Sequence, residues 1–533
     1  MNRDFNTAGP NELAEHYSID PFERIDWPEI QHLIDRKRYF ILHAPRQTGK
    51  TTLLEAIVQR LNAEGCYDAM RFSVNSGHTS RNNVAEGMRT ISDHLFLEAE
   101  FRLPRSWLAT EGRSAVQKLS PGCVITTLLT AWAANAPKPL VLLIDEIDAL
   151  VGDTLVSMLT QLRDGYIARP RPFPQSVILC GVRDIRDYRI ETSSGKAVTG
   201  GSCFNVKAKS LRLGNFAETE VRDLYGQHTT ETGQIFEDVI FPKVMTLTGG
   251  QPWLVNALAN ELTHEIPALR DRSRSIGLEE VDEAKERLIL RCDTHLDQLA
   301  HKLKEQRVRR VIAPILTGDK TSSASTEDRM YTIDLGLVVM QGDGIQIANA
   351  IYREVIPREL ASDFEGDIAI KLSRSAFLLS DGRLDFRELI ARFQQFYREN
   401  ADAWTKRAMY PEAATHILLQ CWLQRVVNGG GQIEREYALG TERADILVRH
   451  FLVKDGKRAE QRFVLEMKVV RAHQSAETVM KKGLEQTARY ADKCDPEEAH
   501  LVVIDQREGR SWDDRVYVRE QQHEGRAVTV WGM

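Results

Sequence analysis

The chain has 533 residues, 42% of them hydrophobic and 27% charged, with a formal net charge of −6. Such values describe globular protein of roughly three or four domains and exclude a global basic field, so any nucleic-acid contact has to come from a local patch. No apolar run reaches the ~20 residues of a membrane span. The seven cysteines are scattered without a CxxC pair, which speaks against a disulfide framework and against a zinc cluster. The stretch "MNRDFNTAGPNELAEHYSIDPFERID" lacks the apolar core of a signal peptide. A cytoplasmic protein with no membrane contact is the expectation.

The first chemical signal is "RYFILH", a short apolar strand, running into "APRQTGKT" and the helically spaced "TTLLEAIVQRL". Ala44, Pro45, Arg46, Gln47, Thr48, Gly49, Lys50 and Thr51 depart from G-x-x-x-x-G-K-[ST] only at Ala44, which shapes the turn. Backbone N–H groups at such a loop and helix start, extending to Thr52, cradle phosphates with help from the helix dipole. Lys50 would reach the β- and γ-phosphates of ATP, Thr51 would hold Mg²⁺, and Gly49 stays small where backbone approaches phosphate.

Further on, "KPLVLLIDEIDAL" is apolar throughout, the mark of a strand buried on both faces, and it ends at Asp145 and Glu146. Asp145 is expected to bind Mg²⁺ and Glu146 to polarise the attacking water. The plainer alternative is a carboxylate pair capping the next helix. A third apolar strand, "SVILCGVRDIRDY", ends near Arg183. In a parallel sheet, strand C-termini line the ligand crevice, so Arg183 is a candidate γ-phosphate sensor, with Arg163 and Arg186 behind it. A salt-bridged structural arginine is the competing reading. In "LTGGQPWLVNALANEL", Pro252 stands near the first position of an amphipathic helix.

These three stretches resemble AAA-like or STAND-type ATPases, P-loop proteins with a helical lid and then a winged helix. The resemblance implies that the turn of Gly250, Gln251 and Pro252 touches the nucleotide base. A winged-helix candidate follows: a helix in "RRVIAPILTGDK", then helix, strand pair and helix in "MYTIDLGLVVMQGDGIQIANAIYREVIPREL". The basic "HKLKEQRVRR" before it is a solvated helix face or a DNA contact. No histidine here matches the one that STAND proteins place against the ADP phosphate.

The last part of the chain changes pattern. A helix in "PEAATHILLQCWLQRVVNGGG" precedes two strand candidates, "QIEREYALGTERADILVRHFLV" and "RAEQRFVLEMKVVRA", then the helix "AETVMKKGLEQTARYADKC" and the strand "AHLVVID". Positions two apart on a strand face the same way, so Glu466 and Lys468 project together. Asp445 on a neighbouring strand can share a hard cation, Mg²⁺, with Glu466. The metal would activate water against a scissile phosphate, with Lys468 positioning it. This order resembles the PD-(D/E)xK nuclease superfamily, with Ala-Asp in place of Pro-Asp. The resemblance adds Gln486 and Tyr490, at i and i+4 on one helix face, and Glu412 as accessory acidic residue.

The expected fold class is α/β: a P-loop NTPase parallel sheet with helical lid and winged helix, followed by an α/β restriction-endonuclease-like domain. Expected boundaries are 1–215 for the ATPase core, 216–300 for the lid, 301–362 for the winged helix, 363–403 for a helical connector and 404–533 for the nuclease-like domain. The leading function is an ATP-controlled, Mg²⁺-dependent nuclease acting on DNA in preference to RNA. Defence against foreign DNA is the setting implied by architectural analogy. The rival is a STAND-type regulatory ATPase whose last domain binds nucleic acid or partners without cutting. A homo-oligomer, as ring or signalling cluster, is compatible with either.

Overall fold

A computed structural model describes the chain except residues 1–2, 117–118, 186–187, 194, 196, 292–298, 300, 318–323, 343, 361–373, 408–413, 428–430, 440–441, 455–456, 472–473 and 508. It divides into two compact units, residues 1–297 with 324–352, and residues 298–323 with 353–533.

The first unit is built on five parallel strands: β1 (Tyr39–His43), β2 (Asp68–Ser73), β3 (Leu140–Asp145), β4 (Ser176–Gly181) and β5 (Lys207–Arg212), in spatial order β2-β3-β4-β1-β5. The apolar runs are explained by two cores, because alternate residues point to opposite faces. Ile41, Met70, Phe72, Leu142, Ile144 and Leu179 join the helices over Val84–Arg102, Val124–Asn135 and Gly152–Ile167. Phe40, Leu42, Val141, Leu143 and Ile178 meet Leu53, Leu54, Ile57 and Leu61 of helix α1 (Lys50–Glu64). Strand β1 lies between β4 and β5, so the chain leaves its C-terminal end at the point where strand order reverses. Crevices in open α/β sheets form at such points.

Helices α2 (Glu218–Thr232), α3 (Ile240–Thr248) and α4 (Pro252–Asn260) follow the sheet. The residues read as a winged helix comprise α5 (Gln306–Thr317), α6 (Thr326–Asp334), the hairpin β6 (Val338–Gln341) and β7 (Gly344–Ile347), and α7 (Ala350–Leu360). The stretch 324–352, with α6 and the hairpin, belongs to the first unit, whereas α5 and most of α7 belong to the second.

The second unit carries α8 (Phe386–Arg407), α9 (Ala414–Val427), α10 (Ala476–Cys494) and six strands: β8 (Gly431–Leu439), β9 (Glu442–Lys454), β10 (Lys457–Val470), β11 (Glu498–Asp505), β12 (Tyr517–His523) and β13 (Arg526–Gly532). Their order is β8-β9-β10-β11-β13-β12, antiparallel at both ends and parallel in the middle, a mixed α/β sheet. One face receives α8, whose Phe386 ring stacks on Phe463 at 4.5 Å. The other receives α10, where Ala491 packs with Val470, Leu501 and Val503.

Two expectations are corrected here. The first strand candidate is two strands, since Leu439 pairs with Glu442 and the chain reverses between them. The polar, alternating residues on both sides read as one long strand. Strands β12 and β13 close the sheet and were not expected from the polar "YVREQQH". The segment read as a connector contributes Phe386, Leu389, Ile390 and Phe393, all fully buried.

Candidate functional sites

The phosphate-loop candidate joins β1 to α1. Gly49 is the N-cap of α1 in the left-handed region at φ 82°, a conformation that favours glycine. Behind it, α1 runs 15 residues with its N–H groups opening toward the loop. Lys50 folds back so that Nζ donates to the carbonyls of Ala44 at 2.9 Å and Pro45 at 2.7 Å. Burial lowers the Lys50 pKa from its ordinary value, against the pull of Cys180, Asp148 and Asp145. Thr48 is buried and donates to Pro45 O, while Arg46 and Gln47 are exposed.

Thr51 and Asp145 come together: Thr51 Oγ1 donates to Asp145 Oδ2 at 3.0 Å. Asp145 is 2% exposed and also receives Arg71 Nη1 at 3.2 Å. Arg71 in turn meets Glu55, which Arg102 grips with two nitrogens. Burial pushes the Glu55 pKa up, but the hydrogen bonds from Arg102 and Arg71 override it and hold it below the usual carboxylate range. Nothing local in the sequence pointed to Arg71.

Glu146 is exposed, has φ 58°, and accepts from Ser73 Oγ at 2.5 Å. A non-glycine residue held in the left-handed region costs on the order of 1–3 kcal/mol, and such strain gathers at functional sites. Arg183 lies between two rings, with its guanidinium carbon 4.3 Å from the Tyr188 centroid and 4.9 Å from that of Tyr331 on α6. Arg163 reaches Ser202 O and Asp164, and Arg186 lies outside the described residues.

The stretch containing α6 abuts the loop. Gly336 approaches Pro45 so closely that a Cβ would stand 2.9 Å from its ring carbons. His43 Nδ1, at the end of β1, is 4.0 Å from Asp334. Burial and then the neighbouring Arg212, opposed by Asp184, push the His43 pKa down to about 4.

A pocket of about 110 Å³ opens beside the loop, comparable with the ~150 Å³ cavity that holds a benzene ring. Gln47, Gly49 and Thr52 wall one side, and Phe216, Pro252 and Trp253 another. Gln251 caps α4 by accepting from Leu254 N at 2.6 Å, and its amide reaches Gln47 O at 3.4 Å. The third wall is the N-terminal segment, which the sequence reading passed over. Asn11 N donates to Thr52 Oγ1, and Thr7 O accepts from Trp253 Nε1 at 2.8 Å. Phe5 and Tyr17 anchor this segment in an aromatic cluster with Tyr225 and His228 of α2. Arg24 ties the same segment to the loop, donating to Thr48 O at 2.8 Å.

In the second unit, Glu466 and Lys468 share one face of β10 and form an ion pair at 2.5 Å. Glu466 is 1% exposed. Asp445 lies on β9, one residue before Ile446, which pairs with Leu465 of β10. Tyr490 on α10 is buried and Gln486 half-buried, and Gly483 lets α10 approach Lys468, where a Cβ would stand 3.2 Å from Lys468 Cγ. Glu412 lies outside the described residues. Among the described residues no group of three or more His, Cys, Asp or Glu is arranged to hold a metal ion, and no helix is long and apolar enough to cross a membrane.

Residues 25–357 match the model of a family described as AAA-like domain. Among solved structures, the chain is similar to the Walker-type ATPase PABY2304 of Pyrococcus abyssi, at 14% identity over 66% of this chain and 99% of that one, with a TM-score of 0.45. It is also similar to the ORC1 protein of Aeropyrum pernix in complex with DNA, at 15% identity over 65% and 94%, with a TM-score of 0.34. A third similarity is to the RuvB Holliday junction branch migration motor of Thermotoga maritima, at 14% over 65% and 97%, with a TM-score of 0.33. No curated protein matches the chain.

Proposed function

The chain belongs to the AAA-like domain family, and from that premise we propose that it hydrolyses ATP and that its nucleotide state controls a Mg²⁺-dependent nuclease, residues 404–533, acting on DNA. The observation that carries the ATP reading is the contact of Thr51 Oγ1 with Asp145 Oδ2 at the end of a buried parallel strand. Two hard oxygen donors side by side, next to a half-buried lysine and a helix N-terminus, suit a magnesium nucleotide.

In this reading Lys50 exchanges its loop carbonyls for the β- and γ-phosphates, and the N–H groups from Gly49 to Thr52 hold the rest of the chain of phosphates. Thr51 and Asp145 would hold Mg²⁺, which would neutralise charge on the phosphate oxygens when bound. Glu146, steadied by Ser73, orients the attacking water and takes its proton. Arg183 leaves its rings to meet the γ-phosphate, which ties nucleotide state to α6 through Tyr331. Residues 1–215 act as the ATPase core, 216–300 as the lid and 301–362 as a winged-helix-like domain.

For the second unit, the shared face of Glu466 and Lys468, and the place of Asp445 on the strand that pairs with theirs, support a PD-(D/E)xK site. Asp445 and Glu466 would hold Mg²⁺, and Lys468 would position water. Gln486 and Tyr490 stand on the helix that covers this face. A second reading, a regulatory ATPase that binds nucleic acid or partners without cutting, is favoured by the burial of Glu466 and its closure by Lys468.

The deciding experiment incubates the full chain with plasmid, linear and single-stranded DNA, with and without Mg²⁺ and ATP. The proposal expects Mg²⁺-dependent cleavage that changes at least ~5-fold with ATP, a coupling of about 1 kcal/mol, and expects Lys50→Ala to remove that change. No cleavage under any condition would transfer the conclusion to the second reading.

A further inference from the structure

Asn256 stands one turn beyond Pro252 on α4 and lines the pocket beside the phosphate loop. It is 7% exposed. Its Nδ2 donates to Pro252 O at 2.8 Å, which fixes the orientation of the amide. The other end, Oδ1, is buried and has no hydrogen-bond partner among the described residues. An unmet buried acceptor is costly, so a donor presented there by a ligand is strongly favoured.

A second residue of the same pocket carries the complementary lack. Arg24 lines it next to Gly49, and its Nε is buried with no acceptor among the described residues. Burial lowers the Arg24 pKa to about 10, with Glu220 opposing. The pocket is therefore lined by one residue with an unmet N–H, beside the phosphate loop, and by another with an unmet carbonyl oxygen, on α4. A ligand that satisfies both has an oxygen-rich end at the loop and an amino group at the far end. A nucleoside triphosphate anchored at Lys50 has this polarity when its base bears an exocyclic amine.

We propose that Asn256 is the base-reading residue of the nucleotide site, accepting through Oδ1 a hydrogen bond from the 6-amino group of adenine. The assignment rests on the ATP reading above and deepens it. A 6-oxo purine turns an acceptor toward Oδ1 and is repelled. A purine with hydrogen at position 6 loses the bond and leaves the acceptor unmet. A water molecule seated at Oδ1 is the competing occupant, and it would confer no such preference.

The test is calorimetric titration of the full chain, with Mg²⁺, against ATP, purine riboside triphosphate and inosine triphosphate. Wild type is expected to bind the purine riboside nucleotide ~10-fold more weakly than ATP, and the inosine nucleotide more weakly still. Asn256→Ala should bring all three within ~3-fold of one another by weakening ATP, with little change for the purine riboside nucleotide. Asn256→Asp keeps an oxygen at the position and should keep the preference for ATP over the purine riboside nucleotide. Equal binding of the three by wild type, or an undiminished preference in a folded Asn256→Ala, overturns the assignment. Should Asn256→Ala fail to fold, the wild-type series still decides. Binding of ATP that survives Lys50→Ala unchanged would overturn the underlying ATP reading together with this one.

Discussion

Gly49→Ala separates backbone strain from steric blockade. Gly49 sits at φ 82°, where an alanine costs ~1–2 kcal/mol. The added Cβ would stand 3.1 Å from Arg24 Nη1, which is tighter than ordinary contact. That nitrogen donates to Thr48 O at 2.8 Å, so moving it away weakens a charge-assisted bond worth about 1.5–3 kcal/mol. The expected loss of stability is about 2–4 kcal/mol, equivalent to a fall of several degrees in melting temperature. ATP affinity should fall by roughly 100-fold or more, because the methyl group occupies the face that backbone offers to phosphate. Gly65 supplies the control. It terminates the same helix at φ 76°, and a Cβ there meets nothing within 4 Å. Gly65→Ala should cost only the strain, ~1 kcal/mol, and leave ATP binding intact. Thermal unfolding and calorimetric ATP titration of both variants decide the matter. Equal destabilisation by the two, with ATP bound equally well, would refute the reasoning.

Three further outcomes follow from the geometry. Glu146→Gln should retain ATP binding while phosphate release slows by ~100-fold or more, since only water activation is lost; wild-type hydrolysis would remove Glu146 from the role of base. Glu466→Ala should abolish Mg²⁺-dependent DNA cleavage and leave ATP hydrolysis in place, and unchanged calorimetric Mn²⁺ binding by the variant would contradict the metal site. The His43 pKa is depressed in the folded state, so the unfolded chain binds the additional proton between the ordinary value of 6.5 and about 4. Stability should therefore decline as pH falls through that window, by on the order of 1–3 kcal/mol after solvent screening, and His43→Leu should flatten this part of the profile. Parallel pH profiles for the two proteins in urea unfolding would rule that contribution out.

The parts of this molecule that were legible in its sequence are those whose signal is local and periodic. The strands at Leu42, Leu143 and Leu179 read as apolar runs because both sheet faces are covered, and Glu466 and Lys468 share a face because strands alternate. Gly49 and Lys50 declare a turn and a helix start within a few residues. What stayed hidden depends on long-range encounter. Arg71 acquires its meaning only when β2 lies beside β3 and sets it against Asp145. Tyr331 meets Arg183 across about 150 residues of chain. The N-terminal wall of the pocket is mostly polar coil, and its two anchors, Phe5 and Tyr17, follow no period that would mark them as core. The hairpin between β8 and β9 hides inside a continuous polar alternation.

The N-terminal wall also bears on how long a nucleotide would stay. Asn11, Thr7 and Arg24 tie the segment to Thr52, Trp253 and Thr48 along one wall of the pocket, while the Phe5 and Tyr17 rings hold it to α2. A nucleotide seated behind this wall would leave faster if the segment peeled away from its aromatic cluster, a local opening rather than a simple diffusion step. In the ATPase reading, product residence time rather than bond cleavage would then limit turnover, as in enzymes whose lids limit the rate. Loosening the aromatic anchor, far from any phosphate, would then raise turnover by shortening that residence.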